Sequence, residues 1–203
     1  MHQNRNRNFK LDWITIILFL LLIGFGWLNI LSASASGEVT SYFDMSQPYG
    51  KQLVFILFTF ILIILILSIE AKFYERFASI IYIASMASLL GLFVFGKEVN
   101  GATSWYSFGN FSFQPSEFVK SATALAMAKL VSDKMFNLKK IETQIQSIII
   151  LFFPALLITL QPDPGSALVY AAFIFVLYRE GLPFYFVAIG IVAIILFIST
   201  LLF

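Results

Sequence analysis

The sequence has no cysteine at all, and its single histidine is His2. Without cysteine the chain can form no disulfide, thiolate metal site or cysteine nucleophile. Histidine-based catalysis and most zinc sites are excluded as well. Charge is also scarce: 12% of the 203 residues are charged and 60% are hydrophobic, whereas about 25% of a soluble domain is charged. The chain therefore cannot cover itself with polar surface, which predicts an integral membrane protein.

Long apolar runs are what the sequence does contain. A membrane-spanning helix needs about 20 mostly apolar residues. Seven segments are predicted to span: residues 13–31, 53–69, 77–95, 115–131, 145–160, 165–178 and 184–203. The predicted fold is an all-α polytopic bundle, a single transmembrane domain over residues 1–203 with no room for a soluble domain.

The basic residues predict how this bundle is oriented. Cytoplasmic loops carry an excess of Lys and Arg. With the N-terminus in the cytoplasm, ten basic residues are internal: Arg5, Arg7, Lys10, Lys72, Arg76, Lys129, Lys134, Lys139, Lys140 and Arg179. Only Lys51 and Lys97 then lie in outer loops. The same orientation places residues 96–114 and 161–165 on the outer side of the membrane.

The sequences at the two ends of the chain lead to two further predictions. Ala33-Ser34-Ala35 resembles a signal-peptidase site, but the preceding apolar run exceeds the roughly 7–15 residues of a signal peptide. We interpret it as a retained first helix. At the other end no polar anchor follows the seventh segment before Phe203, which is typical of a truncated product.

Three ionisable residues lie at membrane depth, where such groups are costly and indicate a functional site. They are Glu117, Lys120 and Asp163. Glu117 and Lys120 are three residues apart, so they share a helix face and can pair. That face continues through Ser121 and Ala124, and we expect it to point into the bundle because small residues allow close helix packing.

The Glu117–Lys120 pair has a functional and a structural interpretation. Lys120, together with the partial positive charge of the helix N-terminus, would suit a phosphate group. Alternatively, Pro115 begins the helix, Glu117 caps its free N–H groups and Lys120 is a structural counter-ion. The residues by themselves favour neither interpretation.

Asp163 lies in a sharp chain break, Gln161-Pro162-Asp163-Pro164-Gly165-Ser166. Asp followed by Pro is a favourable start for the next helix, which would make Asp163 a capping residue. The alternative is that the break lies in a polar cavity, as interrupted membrane segments often do.

The aromatic outer loop that contains Trp105 is open to two interpretations, an interfacial belt or a sugar-stacking platform. These features predict an outward-facing polar cavity without choosing between an enzyme and a transporter.

Two stretches resemble the signatures of a known family. One comprises Gly101-Ala102, Trp105 and Phe111-Ser112-Phe113-Gln114-Pro115-Ser116-Glu117 with Lys120; the other is Gln161-Pro162-Asp163-Pro164-Gly165-Ser166-Ala167. They resemble the two signatures of the SEDS family, typified by RodA and FtsW. The family commonly has Arg at the position of Ser104 and Leu at that of Pro164. Within the family the chain is more similar to the RodA, or elongation, branch.

The resemblance implies a peptidoglycan glycosyltransferase in the bacterial cytoplasmic membrane. Such enzymes polymerise lipid II at the outer face: the acceptor's 4-hydroxyl attacks the donor's anomeric carbon, and undecaprenyl pyrophosphate leaves. It implies that Lys120 stabilises the pyrophosphate with Glu117 orienting it, and that Gln114 and Trp105 help to bind substrate. Asp163 would shape the site, bind a sugar hydroxyl or help to hold a divalent cation; no other cofactor is implied.

The resemblance also implies about ten helices, with the catalytic Asp in a large outer loop after the seventh, beyond Phe203. We therefore expect the 203-residue chain not to polymerise lipid II by itself. The implied partners are lipid II and a class B penicillin-binding protein, and no nucleic acid. The alternatives are a lipid II flippase or transporter and a non-catalytic membrane scaffold of the cell-wall machinery.

Overall fold

The computed structural model describes residues 12–34, 41–99, 101–109 and 111–202. Several residues used above lie outside these ranges: His2, Arg5, Arg7, Lys10, Ala35 and Phe203. The chain divides into two compact units, Met1–Ile69 and Glu70–Phe203. The single domain over residues 1–203 stays a prediction.

The first unit is a pair of apolar helices, α1 (Trp13–Ser34) and α2 (Pro48–Ser68). α1 has no buried residue, and α2 buries only Tyr49 and Gly50 at its first turn. The Trp27 indole N–H donates to the Tyr49 carbonyl at 3.0 Å. One polar link therefore joins two helices that otherwise expose apolar side chains.

The second unit contains the remaining elements. In chain order they are α3 (Ala71–Phe95), β1 (Lys97–Val99), β2 (Ala102–Phe108), β3 (Phe111–Phe113), α4 (Pro115–Val131), α5 (Ile141–Leu160), α6 (Pro164–Leu168), a 3₁₀ turn (Val169–Ala172), α7 (Phe173–Arg179) and α8 (Phe184–Leu202). The helices α3, α4 and α5 pack on one another, and α6 follows α5 after the Gln161–Asp163 break.

The multi-span helical class is confirmed. Among the described residues, four helices are long and apolar enough to cross a membrane: α1, α2, α3 and α5. The other predicted spans correspond to α4 with 17 residues, α8 with 19 residues and the shorter apolar segment Pro164–Arg179.

Several boundaries differ from the predicted ones. α2, α3 and α5 begin at Pro48, Ala71 and Ile141 rather than at residues 53, 77 and 145. The first turns of these helices contain polar residues such as Lys51, so the apolar runs used for the prediction begin only after them. The sixth span is not one helix: α6, the 3₁₀ turn and α7 follow one another. A 3₁₀ turn within a helical segment changes the direction of its side chains.

The outer loop is a small antiparallel sheet, which is the main departure from the all-α prediction. Its strand order is β1-β2-β3, with Lys97 opposite Trp105 and Tyr106 opposite Phe113. Aromatic and hydroxyl-bearing side chains favour such strands. Gly101 and Gly109 adopt φ values of +83° and +61° at the two turns, a conformation that glycine takes without steric cost.

The core of the second unit consists of two hydrophobic clusters. The first joins Leu89 and Leu92 of α3, Val119 of α4, Ile158 of α5 and Tyr170 of the 3₁₀ turn. The second joins Met127 of α4, Leu151 of α5 and Leu177 of α7 with Leu138 and Leu182, which lie in the connections before α5 and α8. The first cluster underlies the residues that the sequence singled out.

Candidate functional site

The first turn of α4 carries the predicted ion pair. Gln114 is the N-cap and Pro115 the first helical residue, where a missing N–H costs nothing. The Lys120 ammonium donates to the Glu117 carboxylate at 2.7 Å, which confirms the pairing. The Glu117 side chain is 55% exposed and that of Lys120 is 23% exposed. The pair is therefore accessible from outside the unit.

The expectation that this face points into the bundle is wrong for the described chain. Ser121 and Ala124, on the face of Glu117, are exposed. The buried stripe of α4 is instead Pro115, Ser116, Val119, Ala122, Thr123, Ala126 and Met127. These residues recur at helical spacing and present small and apolar side chains to α3 and α5, so the charged pair lies on the other side of the helix.

Asp163 both caps a helix and joins the two sequence motifs. Its Oδ1 accepts from the Ser166 backbone N–H at 3.1 Å, as a cap of α6 does. Its Oδ2 accepts from the Gln114 side-chain amide at 3.0 Å. Gln114 directly precedes α4, so the hydrogen bond places the α5–α6 break beside the start of α4. The capping interpretation is confirmed, and the hydrogen bond to Gln114 brings the two motifs into contact.

Gln161 is a buried anchor that the sequence analysis did not propose as a site residue. It is 1% exposed, and its amide nitrogen donates to the Leu89 carbonyl of α3 at 2.7 Å. Its backbone carbonyl accepts from the Ser104 hydroxyl at 3.5 Å. An amide between apolar Leu160 and Pro162 is the sequence signal that could have indicated this role. Gln161 ties the break to both α3 and the outer sheet.

Two tyrosines were also missed. Tyr106 of β2 donates from its hydroxyl to the Ser88 carbonyl at 2.8 Å, and burial raises the pKa of its phenol. It fits because Gly91 has no side chain where the Tyr106 hydroxyl lies. Tyr170 is buried in the first hydrophobic cluster, and neither its hydroxyl nor that of buried Thr123 has a hydrogen-bond partner among the described residues.

Unlike the side chains of its neighbours Ser104 and Tyr106, the Trp105 side chain makes no hydrogen bond to the described residues. It is partly buried in β2 and lies opposite Lys97 of β1. In the described ranges, no hydrogen bond or ring contact joins Trp105 to Gln114, Lys120 or Asp163. Its predicted part in substrate binding stays a prediction.

The side chains around Asp163 offer too few ligands for the divalent cation that the family resemblance implies. Over the described residues there is no group of three or more His, Cys, Asp or Glu side chains that could hold a metal ion. Both Asp163 carboxylate oxygens already accept hydrogen bonds, from Gln114 and Ser166. These residues do not fit a bound divalent cation, and we derive no step through one.

The geometry offers one cation and several hydrogen-bonding groups near the start of a long helix. Lys120 is held by Glu117, and Gln114 and Asp163 are held by each other. Because the pair is exposed and the N-terminus of α4 carries partial positive charge, this region can bind an anionic group while neighbouring amide and carboxylate groups contact hydroxyls.

Comparisons with known proteins identify the family of the chain. The sequence profile of the FtsW/RodA/SpoVE family, described as cell cycle proteins, matches residues 12–203. The probable peptidoglycan glycosyltransferase FtsW of Bacillus subtilis is 31% identical over 78% of this chain and 40% of its own length. The peptidoglycan glycosyltransferase MrdB of Escherichia coli is 29% identical over 95% of this chain and 50% of its own length.

Solved structures show the same fold. The rod shape-determining protein RodA of Thermus thermophilus superposes with a TM-score of 0.78 at 27% identity, covering 92% of this chain and 59% of that one. A structure titled as a peptidoglycan synthase complex that coordinates polymerisation and crosslinking gives 0.74 at 27% identity, over 93% and 53%. The chain spans about half the length of the curated relatives it matches. It belongs to the FtsW/RodA/SpoVE family.

Proposed function

We propose that this chain supplies the pyrophosphate-binding part of a peptidoglycan glycosyltransferase that polymerises lipid II. The observation that carries the proposal is the Gln114–Asp163 hydrogen bond of 3.0 Å, which brings the two motifs together next to the Lys120–Glu117 pair. The curated relatives named above are peptidoglycan glycosyltransferases. A pyrophosphate-linked sugar requires a cation for its pyrophosphate and hydrogen-bonding groups, such as those of Gln114 and Asp163, for its hydroxyls.

Each residue has a defined task in this proposal. Negative charge grows on the pyrophosphate as its bond to the donor sugar breaks, and a fixed cation stabilises that charge. Lys120 supplies the cation, and Glu117, 2.7 Å away, orients it. Asp163 and Gln114 shape the sugar side of the site, and Trp105 contributes an apolar surface. The general base for the attacking hydroxyl comes, by the family resemblance, from outside these 203 residues.

The setting follows from the same resemblance. The site faces the outer side of a bacterial cytoplasmic membrane, where Lys and Arg are few in the predicted topology. The enzyme serves cell elongation and works with a class B penicillin-binding protein. The solved structure titled as a peptidoglycan synthase complex supports a partner of this kind.

Ligand binding tests the site in the chain as it exists. The 203-residue chain in lipid nanodiscs is titrated with undecaprenyl pyrophosphate, undecaprenyl phosphate and neutral undecaprenol. We expect Lys120→Ala to weaken pyrophosphate binding by about tenfold or more, since hydrogen bonds to charged groups contribute about 1.5–3 kcal/mol, and to leave undecaprenol unaffected. Lys129→Ala is the matched control, because Lys129 lies on the same helix and contacts Ser79 instead.

A charge swap separates a binding role from a structural one. Glu117→Lys combined with Lys120→Glu keeps an ion pair three residues apart but moves the positive charge by most of a helical turn. If the pair only stabilises α4, the swapped chain binds undecaprenyl pyrophosphate as the parent does, and the proposal fails. If Lys120 contacts the pyrophosphate, binding falls to the level of Lys120→Ala while the chain stays folded.

A polymerisation assay tests whether the general base lies outside these 203 residues. Purified chain with lipid II is expected to give no glycan product, because the base is proposed to lie outside it. Product above the level of a Glu117→Ala control would overturn that part of the proposal and place a complete active site within these residues.

A further inference from the structure

A long apolar groove begins beside the α5–α6 break, at Thr159 and Ala167. Its volume is about 490 Å³, and it runs along α5 between the Pro164–Arg179 segment and α8. Residues from Gln144 to Thr159 of α5 line it, a distance of about 22 Å at about 1.5 Å per residue. The hydrocarbon core of a bilayer is about 30 Å thick. The groove therefore has the length of an extended acyl chain rather than of a compact ligand.

Three of the four polar side chains along the groove are satisfied within the protein; the fourth, Tyr170, has a buried hydroxyl with no hydrogen-bond partner among the described residues. The Ser147 and Thr159 hydroxyls each donate to the carbonyl four residues earlier, at 2.8 Å. The Gln144 amide donates to the Leu138 carbonyl at 2.7 Å. The groove therefore offers a guest apolar contact and little hydrogen bonding, which suits a hydrocarbon chain.

Three basic residues lie close in sequence to residues that line one end of the groove. Leu138 and Leu182 line that end and are buried in one hydrophobic cluster. Lys139 and Lys140 follow Leu138 directly, and Arg179 precedes Leu182 by three residues; all three are exposed. Two carboxylates, Glu142 and Glu180, lie close in sequence, so the end carries three basic against two acidic groups.

These basic groups are available to a ligand. Over the described part of the chain the only ion pair within 4.0 Å is Lys120–Glu117, so Lys139, Lys140 and Arg179 are not neutralised at contact distance by Glu142 or Glu180. In the predicted orientation this end faces the cytoplasm, where the leaflet surface is negative and basic pockets between helices bind anionic headgroups.

We propose that this groove is a binding site for an anionic phospholipid of the cytoplasmic leaflet. One acyl chain lies along α5, and the phosphate contacts Lys139, Lys140 and Arg179. Neither Lys120 nor Asp163 lines the groove, and the lipid site does not depend on the proposed glycosyltransferase activity.

Fluorescence quenching tests the groove directly. Phe186 lines it, so Phe186→Trp places a probe there, and the signal of the parent chain's own tryptophans is subtracted. The chain is reconstituted with phosphatidylglycerol or phosphatidylcholine brominated on the acyl chains. We expect stronger quenching by the phosphatidylglycerol at equal mole fraction. Lys139→Gln with Lys140→Gln should reduce that preference by about fivefold or more.

Two controls make the result decisive. Lys72→Gln with Arg76→Gln removes the same charge from the start of α3 and should leave the preference unchanged. Ala171→Phe fills the groove and should reduce quenching by both lipids, with thermal unfolding showing that the chain is folded. Equal quenching by the two lipids, or no effect of Ala171→Phe, would overturn the proposal. So would an absence of quenching, which would indicate that a protein segment occupies the groove.

Discussion

The first two helices and the three helices α3, α4 and α5 are all predicted membrane spans, yet they differ in how much of their surface they bury. α1 buries nothing, and α2 buries two residues at its start. α3 buries Ala78, Met86, Leu89 and Leu92, and α4 and α5 bury stripes that include Thr123 and Ser147. Membrane helices that only face lipid can be uniformly apolar, whereas helices that pack need small residues and internal polar links.

The polar links in the second unit follow this logic. The Tyr82 hydroxyl of α3 donates to the Ile150 carbonyl of α5 at 3.0 Å, and Gln161 reaches Leu89. Lipid competes for apolar contact but offers no hydrogen-bond partner, so such links help to determine which helices pack together. The candidate site lies where these links are densest, at the start of α4 and the end of α5.

The largest expected effect comes from overfilling the packed face of α4. Ala122 is 3% exposed, so Ala122→Phe should destabilise the chain by about 1–3 kcal/mol through strained packing. Ala124→Phe, two residues along on the exposed face, should change stability by less than about 0.5 kcal/mol. Unfolding of both variants in mixed detergent measures the difference. Equal loss in both would show that α4 has no preferred packing face.

A smaller effect is expected where the two motifs meet. Asp163→Ala removes the α6 cap, at about 0.5–2 kcal/mol, and the contact with Gln114. A double-mutant cycle with Gln114→Leu isolates that contact, and we expect a coupling energy of about 0.5–1.5 kcal/mol. Pairing Asp163→Ala with Gln144→Leu, which changes an amide at the opposite end of α5, should give additive losses. Additivity in the Gln114 cycle would contradict the link.

The smallest effect is expected in the first unit. Trp27→Phe removes the hydrogen bond to the Tyr49 carbonyl and should cost about 0.5–1.5 kcal/mol, measured by proteolysis of the loop between α1 and α2. Trp13→Phe is the control, because Trp13 is 64% exposed and should be neutral. If Trp27→Phe destabilised the chain more than Ala122→Phe, the contrast between the two regions would be wrong.

Much of the fold follows from local features of the sequence. Scarce charge and long apolar runs predicted the helical membrane class, and three residues of spacing predicted the Glu117–Lys120 pair, because both depend on neighbouring residues alone. Asp followed by Pro likewise indicated the cap as one of two interpretations of Asp163. The strands of the outer loop were missed, since seven residues of β2 carry a weak pattern that short apolar and hydroxyl-bearing stretches in loops share.

The sequence by itself determined the membrane class, the approximate positions of the spans and the charged residues that lie within them. Only the tertiary structure decided which face of α4 is buried, that Gln161 anchors the α5–α6 break to Leu89, and that Gln114 meets Asp163 across 49 residues of sequence. The physical reason is that periodicity identifies a helix face but not its neighbour. In a chain whose residues are apolar almost throughout, a few hydrogen bonds between distant residues select the packing.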